Sequence, residues 1–421
     1  MLRAGRSSEF DFRTALRDGD AVAWPQGTGE PRGLTQRLVV QRHELPAISL
    51  FLGMMTSNTL SPEHADRFRF RGLNGAGTSR RLTAGGLLDV IPAHVSRVPD
   101  LIRTRAIPVD VALLRVRPHA RKGFFTVGVV SDYTGALVAA ARCVVAEIDE
   151  RLPVTSQDAL IAAEDIDVLL SCDADEILLE DPEPSVVELR VAAHVAARIP
   201  DGATLQLGIG SLPVAVSRAL MGHRDLGVHS GVISDVIVEM VEKGVVTNAR
   251  KTIDAGRIVT GGLFGSRRLV QFADGNPDLE MRSTEYTHSL QVMAGLDSLY
   301  GINSAVEIDL SGQVNAEVAG GRYLGAVGGH ADFVRGAQVS RGGRSIIAFP
   351  STTPDGKHSR IVPSLEGRPV TTARADVDLI VTEHGVADLR GASFKERASR
   401  LAAIAHPDFR ENLLAATATR C

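Results

Sequence analysis

The sequence predicts an α/β fold of two tandem domains with mainly parallel sheets, and three observations carry that prediction. Short β-branched runs alternate with helical patterns along all 421 residues. Several of these runs are continuously apolar, which suits strands covered on both faces, as in parallel sheets. One charged, proline-broken segment, EDPEP at 180–184, interrupts the alternation. Domains usually run to roughly 100–200 residues, so the expected domains are 1–184 and 185–421.

The elements follow in order. Strands are expected at VDVALLRV (109–116), VVAEI (144–148), the run around 167–172, TLQLGIG (204–210), RSIIAFP (344–350) and VDLIVTE (377–383). After the linker, Ser185 and Glu188 have capping-box spacing, so a helix is expected through LRVAAHVAARI and ends before Pro200. A second helix is expected over 233–243. There Ile233, Val236, Ile237, Met240 and Val241 share one face, and Gly244 supplies a stop. A weak internal echo links DGDAVAWPQGTGEP (18–31) with DGATLQLGIGSLP (201–213). Both read as a turn, a strand, a G-x-G and a helix-opening proline. They fit either a duplication or the recurrence of a common turn.

Composition removes some functions. Hydrophobic residues make up 44% and charged residues 23%, with net charge −4, so no general attraction to nucleic acid or membrane is expected. No apolar stretch approaches the ~20 residues that span a bilayer. Aromatics are 4%, with Trp24 the single tryptophan, which disfavours base-stacking platforms. Cys143, Cys172 and Cys421 form no CxxC pair, which suits a reducing compartment and gives no zinc spacing. The opening MLRAGRSSEFDF lacks an apolar signal core, so a cytoplasmic location is expected.

Chemistry is expected in three places. Gly208-Ile209-Gly210-Ser211-Leu212-Pro213 follows a strand and opens a helix, so its amides suit a phosphate or a charged oxygen, or the stretch is simply a tight turn. The glycine-rich stretch through Gly328-Gly329-His330 follows GQVNAEVAGGRYL, which has no periodicity and reads as a long ligand loop. Glu383-His384-Gly385 closes a strand, where ligands of parallel sheets collect; the plainer reading is a surface pair.

Ordered blocks then carry a resemblance. GINSAVEIDLSGQVNAE, GAVGGHADFVRGA, SRIVPSL, VTEHGVADLRG and AHPDFRENL resemble the acetyl-CoA hydrolase/transferase family, which includes 4-hydroxybutyrate CoA-transferases. The likeness is strong over 200–421 and weaker over 1–184. It implies two CoA-transferase-type domains and an acyl-CoA:carboxylate CoA-transferase of short-chain acids. An acyl-CoA hydrolase and a non-catalytic CoA-ester-binding protein are the alternatives. It also implies oxyanion amides at Ile209 and Gly329, with Gly208, Gly210 and Gly328 in the same turns binding the CoA ester. Glu383 would be an active-site carboxylate, and Lys357 and Ser359 would contact CoA. The CoA thioester would be the substrate, with no permanently bound cofactor and no metal. Acyl-CoA and a small acid would be the partners, and a homodimer the assembly.

The sequence departs from the family at the nucleophile. The family's His-Thr/Ser-Glu element reads His229-Ser230-Gly231 here. A family asparagine aligns with His288, and a Pro-Asp-x-x-Gly turn appears as Pro118-His-Ala-Arg-Lys-Gly123. Three accounts stay open: Glu30 or Glu317 replaces the nucleophile; the acceptor attacks directly, with His288 as general base or hydrogen-bond donor; or the protein only binds. An ordinary histidine titrates at about 6.5, which motivates the base.

Overall fold

The computed structural model describes residues 2–155 and 160–418; Cys421 lies outside the described residues. The chain forms two compact units. It leaves the first at Glu180, inside the proline-broken segment. The units are nevertheless discontinuous, since Val259–Thr287 and Arg322–Gly328 return to the first. Hydrogen bonds explain the return. Thr28 Oγ1 donates to the Leu263 carbonyl at 2.7 Å, and the Thr284 amide donates to the Asp132 carbonyl at 2.9 Å. The Gly325 and Gly328 carbonyls accept from the Gly75 and Val95 amides at 2.8 and 3.0 Å.

The first unit contains strands β1 (Leu2–Arg6), β2 (Ala21–Ala23), β3 (Ile48–Leu52), β4 (Phe68–Gly72), β5 (Leu88–Val90), β6 (Val111–Pro118), β7 (Cys143–Ile148) and β8 (Val168–Ser171). Helix α1 (Arg32–Gln41) connects β2 to β3. The sheet order is β1-β8-β7-β6-β2-β3-β4-β5, and every neighbouring pair on this path is parallel. The apolar run in β6 is buried throughout because it serves two cores. Val111 and Leu113 pack in one cluster, and Ala112, Leu114 and Val116 in the other.

The second unit begins with α2 (Val186–Ala196), opened by the expected capping box. The Ser185 amide donates to the Glu188 carboxylate at 2.8 Å, and Ser185 Oγ accepts from the Glu188 amide at 3.3 Å. Then come β9 (Thr204–Leu207), α3 (Ser211–Ala219), β10 (Gly227–Ser230), α4 (Asp235–Glu242), β11 (Leu299–Asn303), α5 (His330–Val339), β12 (Arg344–Ala348), β13 (Leu379–Thr382) and β14 (Gly385–Asp388). Their order is β10-β9-β11-β12-β13-β14, parallel except that β14 runs antiparallel to β13. Helix α4 starts later than its apolar pattern because Ser234 is still extended, at φ −127° and ψ −177°. Ile233, Val236, Ile237 and Met240 are buried as expected, and Val238 joins them, while Val241 is half-buried. The stretch expected to be an irregular loop is partly paired, because Val314–Asn315 forms a short hairpin with Glu307–Asp309 around Gly312 at φ +99°.

Connectivity places the active edge of each sheet. In the second unit the chain goes from β9 outward to β10, then resumes on the other side of β9 with β11. Strand order therefore reverses between β9 and β11, which opens a crevice at their carboxyl ends. In the first unit the same reversal lies between β2 and β6. The two echoing sequence segments thus hold the same topological position. The 27–29 turn leads from β2 to α1, and the 208–210 turn leads from β9 to α3.

Candidate functional site

The crevice beside β9 collects most of the expected residues of the second unit. Gly208, Ile209 and Gly210 lie between β9 and α3. Gly210 adopts φ +116° and ψ 179°, a conformation essentially restricted to glycine. The adjoining Ser211 hydroxyl donates to the Glu188 carboxylate, which also completes the α2 capping box. The turn is therefore tied to a second helix.

On the other side of the reversal, Gly328 at φ +55° and Gly329 lead into α5. Helices α3 and α5 follow β9 and β11, whose crossovers leave in opposite directions, so right-handed connections place the helices on opposite faces. Each starts at the carboxyl edge with a glycine N-cap and no side-chain cap. Their first-turn amides are left without intrahelical partners at that edge, one helix on each face of the sheet.

Gly231 follows β10 on the same edge. Ser230 fixes it, because its hydroxyl donates to the Leu207 carbonyl at 2.8 Å and accepts from the Leu207 amide at 3.3 Å. The space beside Gly231 is filled by His288. A Cβ built on Gly231 would lie 2.8 Å from His288 Cε1 and 3.0 Å from Nε2. A Cβ on Gly329 would lie 2.5 Å from the same Nε2. The imidazole also packs on Phe333 of α5, with ring centroids 4.6 Å apart. Burial, helped by repulsion from His229, pushes the His288 imidazole down to about 3. The expectation of a histidine titrating near 6.5 therefore does not hold in this environment; the ring is neutral at physiological pH.

Glu383 and His384 form the two-residue corner between β13 and β14, with Thr382 paired to Gly385. The Glu383 carboxylate accepts from the Ser351 amide at 2.8 Å and from the Ser351 hydroxyl at 2.7 Å. Burial pushes its pKa up, but the two Ser351 hydrogen bonds outweigh burial and hold it below the usual value. Ser351 was not singled out from the sequence, although it lies just beyond the strand at 344–348.

Lys357 and Ser359 line a cavity of about 520 Å³, with Arg360 and Arg368 adding positive charge and Phe409 and Leu413 an apolar wall. Arg360 is the largest omission of the sequence reading. Its Nε donates to the Val306 carbonyl at 2.7 Å, and its guanidinium stacks over Phe349 at 5.1 Å. Burial pulls its pKa down to about 10, opposed by the carboxylates of Glu383, Glu307 and Glu188, so it remains charged. The residue therefore links the electrostatics of the cavity to Glu383 and to the Ser211 turn. Its position beside Ser359 in SRIVPSL was the only available signal.

The candidate replacement carboxylates are both engaged. Glu30 belongs to the first unit and accepts from Thr35 and Ser57 hydroxyls at 2.7 and 2.6 Å. Glu317 accepts from the Thr371 hydroxyl at 2.7 Å. Among the described residues, no group of three or more His, Cys, Asp and Glu has metal-binding geometry, and no helix is long and apolar enough to cross a membrane.

Comparison with known proteins adds to this geometry. The acetyl-CoA hydrolase/transferase N-terminal domain profile matches residues 9–186, and the C-terminal domain profile matches residues 265–417. The 4-hydroxybutyrate coenzyme A transferase of Clostridium kluyveri is 39% identical over 402 residues, covering 95% of this chain and 94% of that one. The succinyl-CoA:cyclohexane-1-carboxylate CoA transferase of Geobacter metallireducens is 34% identical, covering 98% and 97%. The crystal structure of 4-hydroxybutyrate CoA-transferase from Porphyromonas gingivalis superposes with a TM-score of 0.84 at 35% identity, covering 100% of this chain and 98% of that one.

Proposed function

The chain belongs to the acetyl-CoA hydrolase/transferase family, and from that premise we propose that it transfers coenzyme A between a short-chain acyl-CoA and a small carboxylate. The CoA thioester is substrate rather than resident cofactor. Its phosphates suit the cations Lys357, Arg360 and Arg368, and the apolar wall of the same cavity suits its arm. The thioester oxygen, as it gains charge, is served by the amides at the start of α3 and α5.

The observation that carries transfer over hydrolysis is the burial of His288. A carboxylate acceptor arrives ionised and needs no base. Water must lose a proton to attack, and an imidazole held at about 3 is a weak acceptor for it at neutral pH. Glu383, fixed as an anion by Ser351, orients groups at the crevice rather than exchanging protons.

The test is incubation with acetyl-, butyryl- and succinyl-CoA, with and without free acids. Acid-dependent exchange of the acyl group is expected, with little free thiol in the absence of acid. Rapid thiol release without acid means a hydrolase, and binding without either product means a CoA-ester-binding protein. The proposal includes a cytoplasmic setting and a homodimer; sedimentation of the pure chain as a monomer would remove the latter.

A further inference from the structure

The carboxyl end of β10 offers no reactive side chain at 231, and the room such a side chain would use is taken. His288 Nε2 lies within 3.0 Å of the position a Gly231 Cβ would occupy and within 2.5 Å of that for Gly329. Real Cβ atoms essentially never approach a heavy atom within 3.0 Å. Phe333 supports the ring from α5, its Cε2 lying 3.7 and 3.5 Å from the same two Cβ positions. One imidazole thus occupies the seat that two glycines vacate, next to the amide turn of α5. The other carboxylates of this unit that were considered above are occupied. Glu383 has a hydrogen bond on each oxygen, Glu188 holds Ser185 and Ser211, and Glu317 holds Thr371.

We infer that CoA transfer in this chain runs through a ternary complex, in which the acceptor carboxylate attacks the bound thioester directly and His288 forms the wall that orients it. The inference rests on the transferase reading. An acceptor oxygen bonds to the thioester carbonyl carbon, the C–S bond breaks, and a mixed anhydride and CoA thiolate result. The thiolate then attacks the acceptor's own carbonyl carbon, and the bond from that carbon to the bridging oxygen breaks, so that this oxygen leaves with the donor acyl group. The products are the new thioester and the donor carboxylate. One negative charge enters and one leaves, and no proton moves, so a neutral imidazole wall suffices. As a positioning residue, His288 sets the room left for the acceptor.

The route is read by oxygen. An acceptor acid labelled with ¹⁸O in both carboxylate oxygens is supplied in a single turnover, with the full-length protein in excess. Direct attack passes one ¹⁸O to the released donor acid and none to the protein. An acyl-enzyme instead releases an unlabelled donor acid in that turnover and leaves ¹⁸O in a protein carboxylate. Initial rates with both substrates varied should give intersecting lines; parallel lines together with a labelled glutamate would overturn the inference while leaving the transferase intact. Absence of acid-dependent exchange would remove both. Gly231→Ala should lower kcat at least about tenfold and raise the acceptor KM, by pressing on the ring. Adding His288→Ala to it should recover part of the loss and admit bulkier acceptors. An acceptor profile unchanged by His288→Ala would remove the residue from the role assigned to it.

Discussion

Replacing Ser351 with alanine isolates what holds Glu383. Ser351 is fully buried and the Glu383 side chain is 5% exposed, so solvent screens their contact little. The substitution keeps the amide bond at 2.8 Å and removes the hydroxyl bond at 2.7 Å. A hydrogen bond to a charged group contributes about 1.5–3 kcal/mol. Expressed wholly in the transition state, that would lower kcat/KM by roughly 10- to 150-fold. The pH dependence gives the sign. Glu383 is held below its ordinary 4.5, so its stabilisation is complete above that value and is lost as pH falls through the lower folded pKa. The gap in stability between the parent protein and Ser351→Ala should therefore be full at pH 7 and narrow on acidification. Urea unfolding across that range, with steady-state rates at pH 7, measures both. A gap below about 0.5 kcal/mol at neutral pH, or one that stays constant into acid, would refute the claim that Ser351 fixes the carboxylate.

Three further outcomes follow from the geometry. Gly210→Ala should cost about 1–3 kcal/mol in thermal or urea unfolding, because φ +116° and ψ 179° exclude a Cβ, and it should lower kcat as the α3 amides shift. Lys357→Ala should raise the KM for the CoA ester several-fold while leaving the acid's KM unchanged, and the effect should shrink as salt rises, since Lys357 is exposed at the cavity rim. Ser185→Ala should lower stability by about 1 kcal/mol in urea, because it removes the cap of α2; the loss should loosen the Ser211 turn that shares Glu188.

The legible parts of this fold are those where one local rule decides the outcome. A run such as 111–114 is apolar at every position because both sheet faces are covered, and the Ser185–Glu188 spacing satisfies the first turn of a helix with no outside partner. The discontinuity of the units was not legible. It depends on long-range bonds such as Thr28 to Leu263 that leave no periodic trace. The site was legible where the backbone is special, as at Gly208–Gly210, and illegible where its meaning comes from a distant partner. His288 looked like a titratable base from its residue type alone. Only its burial against Gly231, Gly329 and Phe333 shows a neutral ring. Ser351 and Arg360 were overlooked for the same reason: each matters through carboxylates 23 or more positions away in the chain.

The sharp corner at Glu383-His384 has an evolutionary consequence. Side chains along a strand alternate between faces, so inserting or deleting one residue in 379–388 would turn the carboxylate away from Ser351 or slide the edge strand out of step. Length in this hairpin is therefore under stricter constraint than identity. Related chains should tolerate changed residues at 386–388 far more readily than a changed count.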